Sequence, residues 1–538
     1  MTRKLPLLLL ALLAGVALRA QPRYFDISKN LEIFANAYRE VNHSYVDELD
    51  PGKVMRHAMD AMLGELDPFT NYISETDIER YRIQSEGKYA GFGASGRTMG
   101  DYMVITDIFE GSPAQKAGLK VGDAIVAIDG QSARGRSEEE VLNFLRGFPG
   151  TKAGLTVKRP GAPKEIAIEL ERTEIESNNV PHSGMVADGV GYIILTTFTP
   201  NAGQNVADAL RRLKVQNPNM KGVILDLRQN GGGLLDEAVK LTNVFVPRGE
   251  QVVSTRGKVP EWDRSFSTTE QPVDTEIPVV VLIDHMSASA SEIVSGSIQD
   301  LDRGVLIGQR SYGKGLVQNQ KEIGYNARIK LTTAKYYIPS GRCIQAVRYK
   351  NGEPVDIPDS ERAPFRTRNG RTVLDGGGVK PDVMIPVDTP TGVTRALLAQ
   401  NVIFDYVTDW TLRHPSIDSA EIFRFREWPE FVTYVQKRNF RFETEAEKQL
   451  KALQEAAAKD NLNLESEISG LLARIEAQKK GALEAQQARI VREIEQEIVG
   501  RYYFEKGKVR KRLVNDPYVE TAVQLLNDPA RYRAILKG

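Results

Sequence analysis

Cysteine is almost absent: Cys343 is the one thiol in 538 residues. That excludes an internal disulfide framework, so stability has to come from a buried core. Cys343 lies in Gly-Arg-Cys-Ile-Gln-Ala, which reads as a strand edge, and a small structural residue is its expected role. Histidine is scarce too. The five histidines sit at 43, 57, 182, 285 and 414, and no two have zinc-ligand spacing, so no metal site is expected. Excess charge is missing: 71 Lys+Arg balance 71 Asp+Glu. A nucleic-acid binder normally carries a basic surplus, so that class is set aside. After residue 20 no apolar run approaches the ~20 residues that span a bilayer. With 41% hydrophobic and 26% charged residues the chain reads as globular, and nothing in it calls for a cofactor.

The first twenty residues stand apart. Arg3 and Lys4 precede an almost wholly apolar run over 5–18, and Ala-Leu-Arg-Ala at 17–20 has the small-x-small pattern of a signal-peptide cleavage site. Residues 1–20 are read as a cleaved signal peptide, and the mature protein is expected in the periplasm or outside the cell. The length suggests three or four domains at roughly 100–200 residues each. Residues 21–85 read as a helical segment: Leu31, Phe34, Ala35 and Tyr38 recur at helical spacing, as do Val54, Ala58, Met62 and Leu66. Ser74-Glu75-Thr76-Asp77 has the composition of a helix cap.

Residues 86–175 change to short alternating segments separated by glycines. The turn-helix string Gly111-Ser112-Pro113-Ala114 leads to Ala117-Gly118-Leu119, Gly122-Asp123 and Ile125. Ser137 and Glu140 form a capping box for a second helix. This β-rich module with two helices resembles a PDZ domain. The resemblance implies that Gly91, Phe92 and Gly93 form the loop whose backbone N–H groups receive a peptide's terminal carboxylate, the peptide adding as a strand.

From 176 to 395 strands alternate with helices, which argues for layered α/β packing. Three strings carry chemistry. Asp284-His285-Met286-Ser287-Ala288-Ser289-Ala290-Ser291-Glu292 runs off a buried strand into a helix, where a helix N-terminus favours developing negative charge. Gly313-Lys314-Gly315-Leu316-Val317-Gln318 sits in an apolar strand region. Asn230-Gly231-Gly232-Gly233 is a glycine turn between strand and helix. A serine needs a base. His285 has no evident orienting acid beyond Asp284, and no G-x-S-x-G elbow is present. A lysine serves when burial lowers its pKa. Gly308-x4-Gly313-Lys314-Gly315 nearly matches a P-loop, but Gly315 stands where the metal-binding hydroxyl belongs.

These strings, with the module ahead of them, resemble the C-terminal processing peptidases over roughly 30–390. The resemblance implies a multidomain α/β chain: helical N-terminal segment, PDZ domain, layered crotonase-like protease core and helical C-terminal extension over 396–538. It implies Ser289 as nucleophile, Lys314 as base and Gln318 as orienting residue. It implies the backbone N–H groups of Gly232 and Ala290 as oxyanion hole. Where the family commonly has proline, this chain has Gly231. The implied substrates are proteins with apolar, disordered C-termini. Glu443 to Ile498 reads as long helices with a break near Asp460-Asn461, expected to serve self-association into a homo-oligomer or to shield the site. The competing class is an exported adaptor or chaperone that holds peptides uncut, with a hydrophobic-ligand carrier as a weaker third.

Overall fold

The computed structural model describes residues 5–75, 88–145, 147–176, 178–345, 349–350, 353–355, 357–387, 389–390 and 392–537. The chain divides into two compact units, 1–78 with 318–332, and 79–317 with 333–538.

In the first unit, helix α1 (Leu5–Ser44) is followed by α2 (Pro51–Gly64) and a short strand β1 (Asn71–Ile73). Asp50 caps α2, accepting from the N–H groups of Gly52 at 2.9 Å and Lys53 at 3.2 Å, with Pro51 preset at the first turn. The expected helical run to 85 is broken at Asp67-Pro68. Asp67 Oδ1 accepts from the N–H groups of Phe69 and Thr70, a turn that releases the backbone into extended geometry. Asn71 to Ile73 then pair antiparallel with Lys330 to Arg328. The helix expected beyond the cap at Ser74–Asp77 lies outside the described residues from 76 onward.

The second unit opens with the β-rich module. Its elements are β2 (Lys88–Gly91), β3 (Ala94–Met99), β4 (Tyr102–Ile108), α3 (Pro113–Lys116), β5 (Ala124–Ile128), α4 (Glu138–Leu145), β6 (Lys152–Lys158), β7 (Ile166–Glu171) and β8 (Thr173–Glu176). The sheet runs β3-β4-β5-β6-β7, all antiparallel, with β2 and β8 paired separately. Alternating Met103, Ile105, Ile125, Leu155, Val157 and Leu170 fill its core. The capping box is present: Ser137 and Glu140 exchange hydrogen bonds. This is the expected PDZ domain. Among the described residues, strand β3 is an edge strand bonded only to β4.

The core sheet comprises β9 (His182–Ala187), β10 (Val190–Ile194), β11 (Gly222–Asp226), β14 (Val279–Ile283), β15 (Gly304–Gly308) and β18 (Val383–Met384), in the order β9-β10-β11-β14-β15-β18. Only β9 is antiparallel. Between them lie α5 (Ala202–Gln216), α6 (Leu235–Phe245), β12 (Gln251–Gly257), β13 (Arg264–Ser267) and α7 (Ala290–Asp300), and then β16 (Leu316–Gly324) and β17 (Ala327–Tyr337). A parallel sheet has to be covered on both faces. Ile193, Leu225, Val281 and Leu306 point to one face and pack with α5, α6 and α7. Tyr192, Ile224, Val280 and Ile307 point to the other.

The C-terminal helices supply that second layer. After α8 (Gly392–Ala399), α9 (Val402–Arg413) and α10 (Trp428–Lys437) come α11 (Glu445–Lys459) and α12 (Glu465–Lys479), broken at Asn461 with φ 54°. Helix α13 (Gln487–Arg512) closes a bundle around Tyr406, Trp410, Phe431 and Ile494. Helices α14 (Pro517–Leu526) and α15 (Pro529–Lys537) then lie on the sheet, with Val519, Ala522, Leu525, Leu526 and Tyr532 buried against it. The Tyr532 hydroxyl both accepts from the N–H and donates to the carbonyl of Val279, each at 3.0 Å. So the stretch after 395, read as an extension, contains one whole layer of the α/β core. The sequence hid this because 513–537 is far from the strands it covers. No described helix is long and apolar enough to cross a membrane.

Leu525→Ala is expected to cost about 2–5 kcal/mol, as for other large-to-small core changes, although Leu525 lies outside the segment that resembles the protease core. Chemical denaturation of wild type and variant checks this.

Candidate active site

Ser289 sits where β14 turns into α7. It is half-buried, with φ 57° and ψ −114°. A residue with a Cβ in that region stores on the order of 1–3 kcal/mol, sustained only when its surroundings over-determine it. They do. The Ser287 hydroxyl donates to the Leu227 carbonyl at 2.8 Å, and Ala288 N–H to the Asn230 carbonyl at 3.1 Å. The Ser291 hydroxyl also reaches the Asn230 carbonyl, at 2.8 Å. The serine is thereby presented at the N-terminus of α7, whose first N–H groups have no helical acceptor.

One carboxylate joins this turn to the lysine loop. Glu292 is fully buried. Its Oε2 accepts from Ser289 N–H at 2.8 Å and from Lys314 N–H at 2.9 Å. Its Oε1 accepts from Gly313 N–H at 2.7 Å and from the Ser311 hydroxyl at 2.6 Å. Burial pushes the carboxyl above the ordinary glutamate range, against the pull of those hydrogen bonds. Lys314 is half-buried in the loop between β15 and β16, just before the strand it was expected to occupy. Gly315 beside it touches the next segment directly. A Cβ there would lie 2.6 Å from the Gln345 nitrogen, so no larger residue fits.

Tyr336 on β17 forms a second tie. Its buried hydroxyl lies 2.6 Å from the Lys314 carbonyl and 3.1 Å from the Ser289 carbonyl. Its own N–H donates to Gly315 at 3.0 Å. Strand β12 holds it in place through the Thr255–Tyr336 pairing.

The glycine turn closes the site. At Gly232 φ is 97°, and a Cβ would lie 2.8 Å from Ser289 Cβ and 2.9 Å from the Ala290 nitrogen. Only glycine permits that approach. The N–H of Gly232 donates to Asn230 Oδ1 at 2.9 Å, so one of the two expected oxyanion donors is engaged in this conformation. Asn230 itself is anchored by its amide to the Leu195 carbonyl. Upstream, Arg228 bridges Asp226 and Asp516 at 2.6 and 2.8 Å, and Tyr192 donates to Asp226. Asp516 caps α14, which locks the loop to the C-terminal layer.

The structure therefore brings Ser289, Ala290, Gly232 and the Lys314 backbone together. Gln318 belongs to the first unit, where its amide donates to Thr332 Oγ1 at 3.2 Å. His285 is exposed, with Nδ1 3.4 Å from Gln309 Oε1. Sequence reasoning missed the roles of Glu292, Tyr336 and Asn230. Glu292 had a signal in its capping-box spacing from Ser289, whereas Tyr336 is 47 residues away and had none. In the PDZ domain, Gly91 and Phe92 line a cavity of about 250 Å³ with Ala94, Leu142 and Leu145, beside the open edge of β3. Gly93 has φ 72°, and a Cβ there would lie 2.4 Å from that of Ser112.

A serine at a helix N-terminus, a glycine turn against it and a PDZ module are the features of a PDZ-bearing serine peptidase. Residues 189–355 match peptidase family S41, 104–159 the PDZ domain, and 393–526 the family described as "Probable PDZ-protease, C-terminal helical domain". A carboxy-terminal-processing protease of Bartonella bacilliformis is 36% identical over 336 residues, 62% of this chain and 77% of that one. A "Probable CtpA-like serine protease" of Staphylococcus aureus is 32% identical over 332 residues, 61% of this chain and 65% of its own. The solved photosystem II D1 C-terminal processing protease is 26% identical, covering 65% of this chain and 92% of that one, with a TM-score of 0.35. The chain belongs to the carboxy-terminal-processing protease family and is a serine-type peptidase.

Two substitutions test the scaffold. Glu292→Gln puts an amide nitrogen against N–H donors and is expected to cost about 1–3 kcal/mol, with peptidase activity falling alongside stability in parallel melts and assays. Tyr336→Phe removes one hydroxyl at a cost of about 1 kcal/mol. It is expected to lower kcat with KM little changed, as measured by steady-state kinetics.

Proposed function

We infer that the chain is an exported endopeptidase that cuts proteins with apolar, disordered C-termini through a Ser289–Lys314 pair. The observation that carries this reading is the single buried carboxylate of Glu292, which receives the backbone N–H groups of both residues and fixes them on one scaffold. Lys314 Nζ takes the proton from Ser289 Oγ as that oxygen attacks the scissile carbonyl carbon. The resulting oxyanion is met by the N–H groups of Ala290 and Gly232, the latter once Asn230 Oδ1 releases it. Lys314 then returns the proton to the leaving amine, and an acyl-enzyme ester forms at Ser289. Water, deprotonated by the same lysine, hydrolyses the ester and regenerates the serine. Gln318 acts as the orienting residue. The PDZ domain supports the substrate reading, since its cavity walls are apolar and β3 offers an unpaired edge for an added strand. Export rests on the basic and apolar pattern of residues 1–20.

The test is cleavage of an unfolded model protein with an apolar C-terminus, with binding followed in parallel. Wild type is expected to cut, and Ser289→Ala and Lys314→Ala to lose activity by on the order of 10³-fold or more while keeping the wild-type circular dichroism spectrum. A wild type that binds the tail without cutting it is a peptide-holding adaptor, and the reading falls.

A further inference from the structure

The two ends of a glutamine amide are nearly equal in size, but one accepts hydrogen bonds and the other donates them. Partners alone decide which end of Gln318 points where. Within the first unit a row of polar side chains makes that choice. It starts at the Asp67 turn, where Oδ1 accepts from the N–H groups of Phe69 at 2.8 Å and Thr70 at 2.9 Å. The other oxygen, Oδ2, lies 2.9 Å from the Thr70 hydroxyl. A carboxylate has no proton to give, so Thr70 donates to it. A hydroxyl has one proton, so toward Thr332 the same oxygen can only accept. It meets the Thr332 N–H at 3.2 Å and the Thr332 hydroxyl at 3.3 Å, a contact between residues 262 apart in sequence. The Thr332 proton is thereby committed to Thr70, and the Thr332 oxygen receives Gln318 Nε2 at 3.2 Å. Every link runs one way, from Gln318 through two hydroxyls to one carboxylate. The direction is set at Asp67, and it puts the amide nitrogen on Thr332 and the carbonyl oxygen at the opposite end.

We propose that Asp67, Thr70 and Thr332 are positioning residues that set the Gln318 amide with its carbonyl oxygen as the end that does the orienting. The inference rests on the reading of Gln318 as the residue that orients the Ser289–Lys314 pair. The strand order supplies the frame for the row. Gln318 is on β16, which pairs with β17, where Thr332 lies, and β17 pairs in turn with β1, which Thr70 leads into. Thr70 is buried, while Thr332 and Gln318 are half-buried. The fold alone does not call for these hydroxyls, because apolar groups of the same shape in place of both partners are nearly neutral for stability. What a chain of hydroxyls supplies, and apolar groups do not, is polarity. A lysine that takes a proton needs its lone pair directed at the serine and its N–H groups directed elsewhere. A carbonyl acceptor meets one of those N–H groups, and after transfer it meets an ammonium, which has only donors. The amide turned over would set its own N–H groups against them.

The experiment is steady-state cleavage of the unfolded model protein by the full chain, with melting temperatures taken on the same samples. In Asp67→Asn the oxygen of the new amide stays on the two backbone N–H groups, and its nitrogen donates to Thr70. Both hydroxyls then reverse, and Thr332 donates to the Gln318 carbonyl. The number of hydrogen bonds is kept, but the amide of Gln318 turns over. The expected result is a kcat lower by about 10- to 100-fold, the worth of one hydrogen bond to a charged group, with KM and melting temperature near those of wild type. Thr332→Val is expected to lose kcat in the same way, and Thr332→Ser, which keeps the hydroxyl, to retain it. Labelling of Ser289 by a fluorophosphonate needs no protein substrate and is expected to slow in the same variants. In a Gln318→Ala background, Asp67→Asn and Thr332→Val are expected to cost nothing further. Asp67→Asn and Thr332→Val at the wild-type kcat overturn the proposal while leaving the role of Gln318 intact. So does a loss that persists in the Gln318→Ala background, which would make the row a support of the fold. Gln318→Ala at the wild-type kcat, or a wild type inert to both substrate and probe, overturns the underlying reading and this inference with it.

Discussion

Much of the site hangs on one buried carboxylate. Glu292 receives three backbone N–H groups and a hydroxyl, drawn from the Ser289 turn and from the loop that ends at Lys314. Burying a carboxyl group is costly, and here each oxygen meets two hydrogen-bond donors that offset the lost hydration. That arrangement lets a serine hold a positive φ at the mouth of a helix. Tyr336 then ties the carbonyls of the same two residues from the opposite strand system. Backbone atoms of Ser289 and Lys314 are the objects of both ties.

The scaffold beneath depends on closure of the sheet. Five of the six strands join through parallel pairings, and such a sheet is stable only with both faces covered. One cover comes from the connecting helices α5, α6 and α7. The other arrives from the far end of the chain, α14 and α15, pinned at Arg228–Asp516 and at Tyr532. Arg228 lies just before the glycine turn, so its bridge to Asp516 ties the terminal layer to the segment that leads into that turn. The same C-terminal region reaches the PDZ domain: Phe504, at φ 55° inside α13, packs on the PDZ core, and Lys508 pairs with Asp107. The helical region is thus a structural part of both modules that precede it.

Among the described residues, the PDZ domain leaves a strand edge unpaired. The β3 edge offers unpaired backbone groups beside an apolar cavity, which suits an added peptide strand.

How much of this the residues announced depends on the range of the interaction. Ser289, Lys314 and the Gly232 turn stood out because each sits in a short string with its own local signature, and the structure brings Ser289, Gly232 and the Lys314 backbone together. The PDZ module was legible for the same reason: its turns, its Ser137–Glu140 capping box and its alternating strands are all written within a few residues. Buried strands such as 279–283 were legible as apolar runs, since a two-sided parallel strand has no polar face. What the tertiary structure alone decided is what lies far apart in sequence. That Glu292 accepts from Lys314, that Tyr336 reaches Ser289, and that residues 513–537 cover the sheet cannot be read from a string. Period and composition specify which face of an element is apolar, but not which distant element buries it.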